Sequence, residues 1–177
     1  MANQKIDHLH WYVVALTTLF VIAHLAWEYM HGGVKSHHLF ARSDMPAISN
    51  WWGLIILPML GWLASWLVKL RAAKEPKTLQ KALAGSLGAL LIGITLSISF
   101  QTGHEQIASY IFFAALLSGI IFPVYRAEYV FGFVLGMAFV FGAVLPALFA
   151  SIGVIISAIS HFLIRPAFTW GVRAFRD

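Results

Sequence analysis

Apolar residues along this chain gather into long runs separated by short polar connections. Five runs stand out, at residues 11–30, 51–68, 82–100, 107–125 and 129–164. An α-helix rising about 1.5 Å per residue needs about 20 apolar residues to cross the roughly 30 Å hydrocarbon core of a bilayer. The first four runs meet that length. The fifth is too long for one crossing and is interrupted by Gly142 and Pro146, so it reads as two helices joined by a tight turn around residues 143–147. The pattern predicts an all-α, polytopic integral membrane protein, with residues 1–177 forming a single transmembrane helical domain of six spans. A five-span form is the alternative, in which Pro146 kinks one helix or marks a re-entrant segment.

The polar connections set the orientation. Lys69, Arg71, Lys74, Lys77 and Lys81 crowd the second one, and an excess of basic residues marks cytoplasmic loops. With six spans, Lys5, Arg126, Arg165, Arg173 and Arg176 share that side, and only Lys35 and Arg42 fall outside. Five spans would put the basic tail outside. The expected location is a bacterial inner membrane with both termini cytoplasmic. Residues 31–50 then form an outward-facing loop, and residues 165–177 an amphipathic cytoplasmic tail on the anionic leaflet. No small-residue cleavage site closes the first run, so it is expected to stay in the mature protein.

Composition narrows the chemistry. The 177 residues are 60% hydrophobic and 11% charged, with a mean hydropathy of +0.80, more apolar surface than a soluble interior can hide. The net charge of +5 reflects topology. There is no cysteine, which excludes disulfides, thiolate sites and iron–sulfur clusters and leaves His, Asp, Glu and water as metal ligands. No phosphate-binding glycine loop or nucleic-acid module is present, so membrane lipids, not nucleic acid, are the expected partners. The pattern sets no oligomeric state. Small residues at Gly85, Gly88, Gly132, Gly136 and Gly142 fit close helix packing, and Arg126 and Glu128 read as an interfacial pair.

One feature departs from a generic membrane protein. Glu28 is a carboxylate inside an apolar run, flanked by His24 and His31. On a helix, His24 and Glu28 lie about 40° apart and His31 about 20° to the other side of His24. Ionisable groups in a span cost a few kcal/mol unless compensated. A metal ion, a proton path or a cofactor would compensate them. The loop that follows adds His37, His38 and Asp44, and the third connection adds His104. Gly32 and Gly33 allow positive φ there, and Ser49-Asn50 suits an N-cap of the second helix. The candidate metal ligands are therefore His24, Glu28, His31, His37, His38 and His104, with Glu28 or Asp44 as general base. Nitrogen and oxygen ligands without sulfur favour zinc, then iron or manganese. Glu28-x-x-His31 is also half of a di-iron carboxylate pattern, whose other half would have to come from a second copy.

The stretch Ile48-Ser49-Asn50 followed by Leu57-Pro58 resembles an early segment of the alkaline ceramidases and the related adiponectin-receptor-like proteins, seven-span zinc hydrolases. The resemblance covers about a dozen residues. The family's paired histidines on the last helix are absent, His161 standing alone, and one span is missing, so no residue role carries over. It implies lipid hydrolysis. The leading expectation is a metal-dependent hydrolase acting on a lipid or other membrane-associated substrate at the outer face. Two alternatives stand beside it. One is a cation or proton transporter using the row His10, Thr17, His24, His31. The other is a b-type haem protein in which His24 pairs with His104.

Overall fold

The computed structural model describes residues 8–38, 42, 44–75 and 77–174. Lys5 and Arg176 lie outside the described residues, as does the side chain of Arg173. Among the described residues there are six principal helices: α1 Leu9–Met30, α2 Gly53–Ala72, α3 Thr78–Gln101, α4 Glu105–Ser118, α5 Ala127–Phe141 and α6 Val144–Ile159. A π-helical turn, Ser160–Ile164, carries α6 into a seventh, shorter helix α7, Arg165–Ala174. Four segments are long and apolar enough to cross a membrane: His10–Met30, Asn50–Ala72, Thr78–Gln101 and Val144–Trp170. Helices α4 and α5 are shorter, with 14 and 15 residues. Large apolar side chains cover the outside, among them Leu16 and Leu19 on α1, Leu83, Leu87 and Leu91 on α3, and Phe113 and Leu117 on α4. That much exposed hydrocarbon is at home in lipid and not in water.

The long fifth run divides as its glycine and proline suggest. Gly142 ends α5 with φ 67 and ψ −174, and α6 starts two residues later. Pro146 is the third residue of α6, within the first turn, where helix N–H groups have no intrahelical partner to lose. The turn sits at 142–143, slightly before the expected centre.

Helix α5 is the hub. It packs most extensively on α3 and also lies against α2 and α6. The α3–α5 approach depends on missing side chains. A Cβ at Gly93 would come within 2.6 Å of the Phe133 carbonyl oxygen, and one at Gly132 or Gly136 would overlap the backbone carbonyls of Ser86 or Leu90. Ser97 donates a hydrogen bond to the Gly136 carbonyl, 3.3 Å away, at the same crossing. Gly85 lies under the Tyr129 ring, whereas Gly88 has nothing within 4 Å.

The short helix α4 leaves carbonyls beyond its end without helical partners. Ser160 and Arg165 donate to the Ile120 carbonyl, Arg165 also to Ile121, and Ser157 to Phe122. Three side chains of α6 and its extension thus fasten the α4–α5 connection. His161 is a packing residue, its Nδ1 on the Ser157 carbonyl and its ring edge-on to Tyr125. Glu128, expected to pair with Arg126, instead accepts from Arg71 at 2.6 Å. Helix α5 brings Glu128 beside the last turn of α2, and burial of the carboxylate to 3% exposure demands a cation there.

The core sits between α1, α2, α5 and α6, formed by Val21, Leu25, Leu57, Val134, Ala138, Ala143 and Ala150. It lies directly beneath the end of α1 that carries Glu28.

Candidate functional site

Helix α1 turns one face inward: Thr17, Val21, His24, Leu25 and Glu28 are all buried. The row does not continue to His31. The helix stops at Met30, and Gly32 and Gly33, with φ 113 and φ 103, turn the chain back on itself. His31 is left exposed, stacked on Trp27 with its Nδ1 2.7 Å from the Trp27 carbonyl.

The returning chain passes over Glu28. The Gly33 N–H donates to the Glu28 carbonyl, and the Lys35 N–H to Glu28 Oε2 at 3.3 Å. Residues Ser36–His38 (β1) then pair antiparallel with Ala47–Ser49 (β2), His37 opposite Ile48. Successive residues of a strand face opposite sides, so the neighbouring histidines part company. His37 turns inward. His38 turns out, its Nδ1 2.7 Å from the Met45 carbonyl.

Ser49 caps the next turn, Asn50–Trp52, its Oγ accepting from the Trp51 N–H. This places Asn50 inward, where it is 5% exposed and its Nδ2 donates to Glu28 Oε1 at 2.7 Å. The Asn50 Oδ1 fills the space where a Cβ on Gly142 would lie. Three segments therefore meet at one carboxylate, α1, the chain after Gly33 and the turn that leads into α2, and the α5–α6 turn packs on the Asn50 that binds it.

One imidazole borders it, and a second, His37 on the inward side of β1, lies within range of its charge. His24 Nε2 is 3.5 Å from Glu28 Oε1, within ion-pair reach but long for a hydrogen bond. The ring of Phe139 lies 4.8 Å from that of His24. His37 feels the charges of Glu28, Lys35 and His24, and burial holds its pKa below the usual histidine value. The neutral imidazole, with a free lone pair, is thereby favoured. Both His24 Nε2 and His37 Nε2 are buried without a hydrogen-bond partner among the described residues. Leaving such a group unpaired costs about 1–3 kcal/mol.

The remaining expected site residues do not join this centre. Asp44 is held by Arg42 through two bonds of 3.0 and 2.7 Å, with both side chains exposed. His104 is exposed on the α3–α4 turn, its Nδ1 2.9 Å from Thr102 Oγ1. The first and third connections do lie at one end of the molecule, but the first meets the α5–α6 turn and not His104. Among the described residues, no three His, Asp or Glu side chains stand close enough together to hold a metal ion as they are. Of six candidate ligands, His24 and Glu28 lie together and His37 is within range of their charges; His31, His38 and His104 make their contacts elsewhere.

Sequence reasoning read Asn50 only as a cap and did not single out Phe139 or the Lys35 N–H. A signal for Asn50 existed: it is the only asparagine beyond Asn3, and a buried carboxylate requires donors. No protein-family model, curated protein or solved structure matches the chain.

Proposed function

We propose that the chain is a metal-dependent hydrolase of the bacterial inner membrane that acts on a membrane amphiphile at the outer end of α1. Both termini are cytoplasmic in this reading, which rests on the basic α2–α3 connection. The observation that carries the proposal is a pair of buried, unpartnered imidazole nitrogens beside one buried carboxylate. His24, His37 and Glu28 would hold a divalent ion, zinc being the first choice for this donor set. Such an ion lowers the pKa of a bound water and yields a nucleophile near neutral pH. Asn50 and the Lys35 N–H keep the Glu28 carboxylate in place, where it would serve as general base. Asp44, tied to Arg42, is not available for that role.

A second observation favours an amphiphile over a transported ion. A cleft of about 590 Å3 runs between α1, α3 and α5 and reaches Phe139, the ring beside His24. Its walls include Leu16, Phe20, Leu90, Phe131 and Leu135, with Thr17 the single polar side chain. Thr17 already donates to the Val13 carbonyl. Apolar cavities stay dry, so the cleft suits a hydrocarbon tail better than a proton wire. Its size falls in the roughly 300–1,000 Å3 range of small-ligand sites.

Elemental analysis of the purified full chain tests the proposal. About one zinc per chain is expected, lost in His24→Ala and His37→Ala and retained in His38→Ala and His104→Ala. Long-chain ester, amide and phosphoester amphiphiles in mixed micelles should be turned over by the wild type, with at least a hundredfold loss in Glu28→Gln. No metal after reconstitution, or equal loss in His104→Ala, would overturn the assignment. Proton or cation flux in liposomes without turnover would favour transport, and a Soret band in the visible spectrum would favour haem.

A further inference from the structure

A second cavity lies away from the candidate site, between α3, α4, α5 and α6. It has a volume of about 550 Å3. It exists because α3 presents Ala84, Gly85, Gly88 and Ala89 there, opposite Phe112 and Leu116 of α4. A side chain added at Gly88 would meet nothing within 4 Å. The walls are hydrocarbon except at the end where the α2–α3 and α4–α5 connections lie. There Lys81 and Arg126 line the mouth, with Tyr129 beside them, and no carboxylate lines the cavity.

One of the two rim cations already pairs with an anionic group of the chain itself. Glu75, an exposed residue of the α2–α3 connection, pairs with Lys81. The hydrogen bond and charge of Lys81, with a smaller contribution from Arg126, hold its carboxyl below the ordinary carboxylate range. A hydrocarbon-lined space beneath two cations has the polarity of an anionic lipid turned inside out. The hydrocarbon walls take an acyl chain, and the rim takes a phosphate through charge-assisted hydrogen bonds.

We propose that this cavity binds one acyl chain of an anionic glycerophospholipid, with the lipid phosphate on Lys81 and Arg126 in place of Glu75. Two further basic residues of the same connection, Lys74 and Lys77, add to the attraction of an anion. The site is independent of His24, Glu28 and His37, which lie at the opposite end of the bundle.

The test uses the full chain in detergent micelles, titrated with phosphatidylglycerol or phosphatidylcholine of identical acyl chains and read by native mass spectrometry. Phosphatidylglycerol should bind roughly tenfold more tightly. Lys81→Gln/Arg126→Gln should abolish that preference while leaving chain-dependent binding, and Glu75→Gln should strengthen phosphatidylglycerol binding severalfold by freeing Lys81. Gly88→Leu, which fills the cavity, should remove binding of both lipids. Equal affinity for the two headgroups, a preference that survives the double rim variant, or unchanged binding in a folded Gly88→Leu protein would each overturn the proposal. So would full competition by millimolar inorganic phosphate, which would mark a simple anion site. The rim variants keep the test valid even if the filled cavity prevents folding, and metal content, read in the same samples, separates this outcome from that of the hydrolase reading.

Discussion

Glu28 is 1% exposed, yet it accepts from Asn50 and from the Lys35 N–H and lies beside His24. Each contact comes from a different part of the chain, so one carboxylate holds this end of the molecule together. Gly142 is bound to the same system, since Asn50 Oδ1 occupies the place of its missing Cβ. Its φ 67 and ψ −174 also lie in a region that is essentially restricted to glycine and costs other residues about 1–3 kcal/mol. Gly142→Ala should therefore destabilise by both strain and overlap. Asn50→Ala should cost about 1.5–3 kcal/mol, the worth of a hydrogen bond to a charged group. Because Asn50→Ala removes the overlap, the double variant should be less destabilised than the sum of the two, which a double-mutant cycle by thermal unfolding in detergent would measure. Strict additivity would mean that the two residues do not touch. The importance of Glu28 was legible from its isolation in an apolar run. That His37 and not His38 accompanies it was not, because which of two adjacent histidines faces inward depends on the register of a hairpin three residues long on each side.

The α3–α5 crossing is built on small residues. Small-residue spacing in the chain suggested close packing for both the Gly85/Gly88 and the Gly132/Gly136 pairs, but it gave no way to tell contact from empty space. Gly132 meets the backbone of Ser86, and Gly88 faces a cavity. Substitutions should separate the two. Gly132→Ala must push two backbones apart and should cost about 1–3 kcal/mol, as overpacking does. Gly88→Ala should be neutral or up to about 1 kcal/mol stabilising, from helix propensity alone. Thermal unfolding of both variants in the same detergent reads the difference, and equal losses would contradict the crossing geometry. The hydroxyls of the later helices divide in the same way. Ser97, Ser157 and Ser160 bond across elements, whereas Thr95, Ser109 and Ser118 bond carbonyls of their own helix.

Across the whole molecule, buried charge gathers at two opposite ends. Glu28 with Asn50 and the α5–α6 turn mark one; Arg71 with Glu128 marks the other, where Lys81 and Arg126 also lie. The six helices alternate between these ends. If all six cross the bilayer, the short helices α4 and α5, roughly 21 and 22 Å long at 1.5 Å per residue, must be met by local thinning or by their flanking turns. The native chain has no cysteine, so single cysteines report position without background. Cysteines replacing Ser36 and Lys77 should be labelled from opposite sides of a sealed membrane, and a reporter at the C-terminus should share the side of Lys77. A C-terminal reporter on the side of Ser36 would rule out six crossings.

Helix number, the break near Gly142, the basic end and the unusual carboxylate were all readable from the chain, because each depends on local composition and helix period. The partners of that carboxylate were not. Asn50 reaches Glu28, Gly142 reaches Asn50 and Phe139 reaches His24 only after α1, α2 and α5 have packed, and the Arg71–Glu128 pair joins residues 57 positions apart. Runs of hydrocarbon dictate where helices form, since every backbone polar group in lipid must be satisfied within its own segment. Which polar side chains meet is decided by the angle and register of packed helices, and no periodicity along a single helix encodes those.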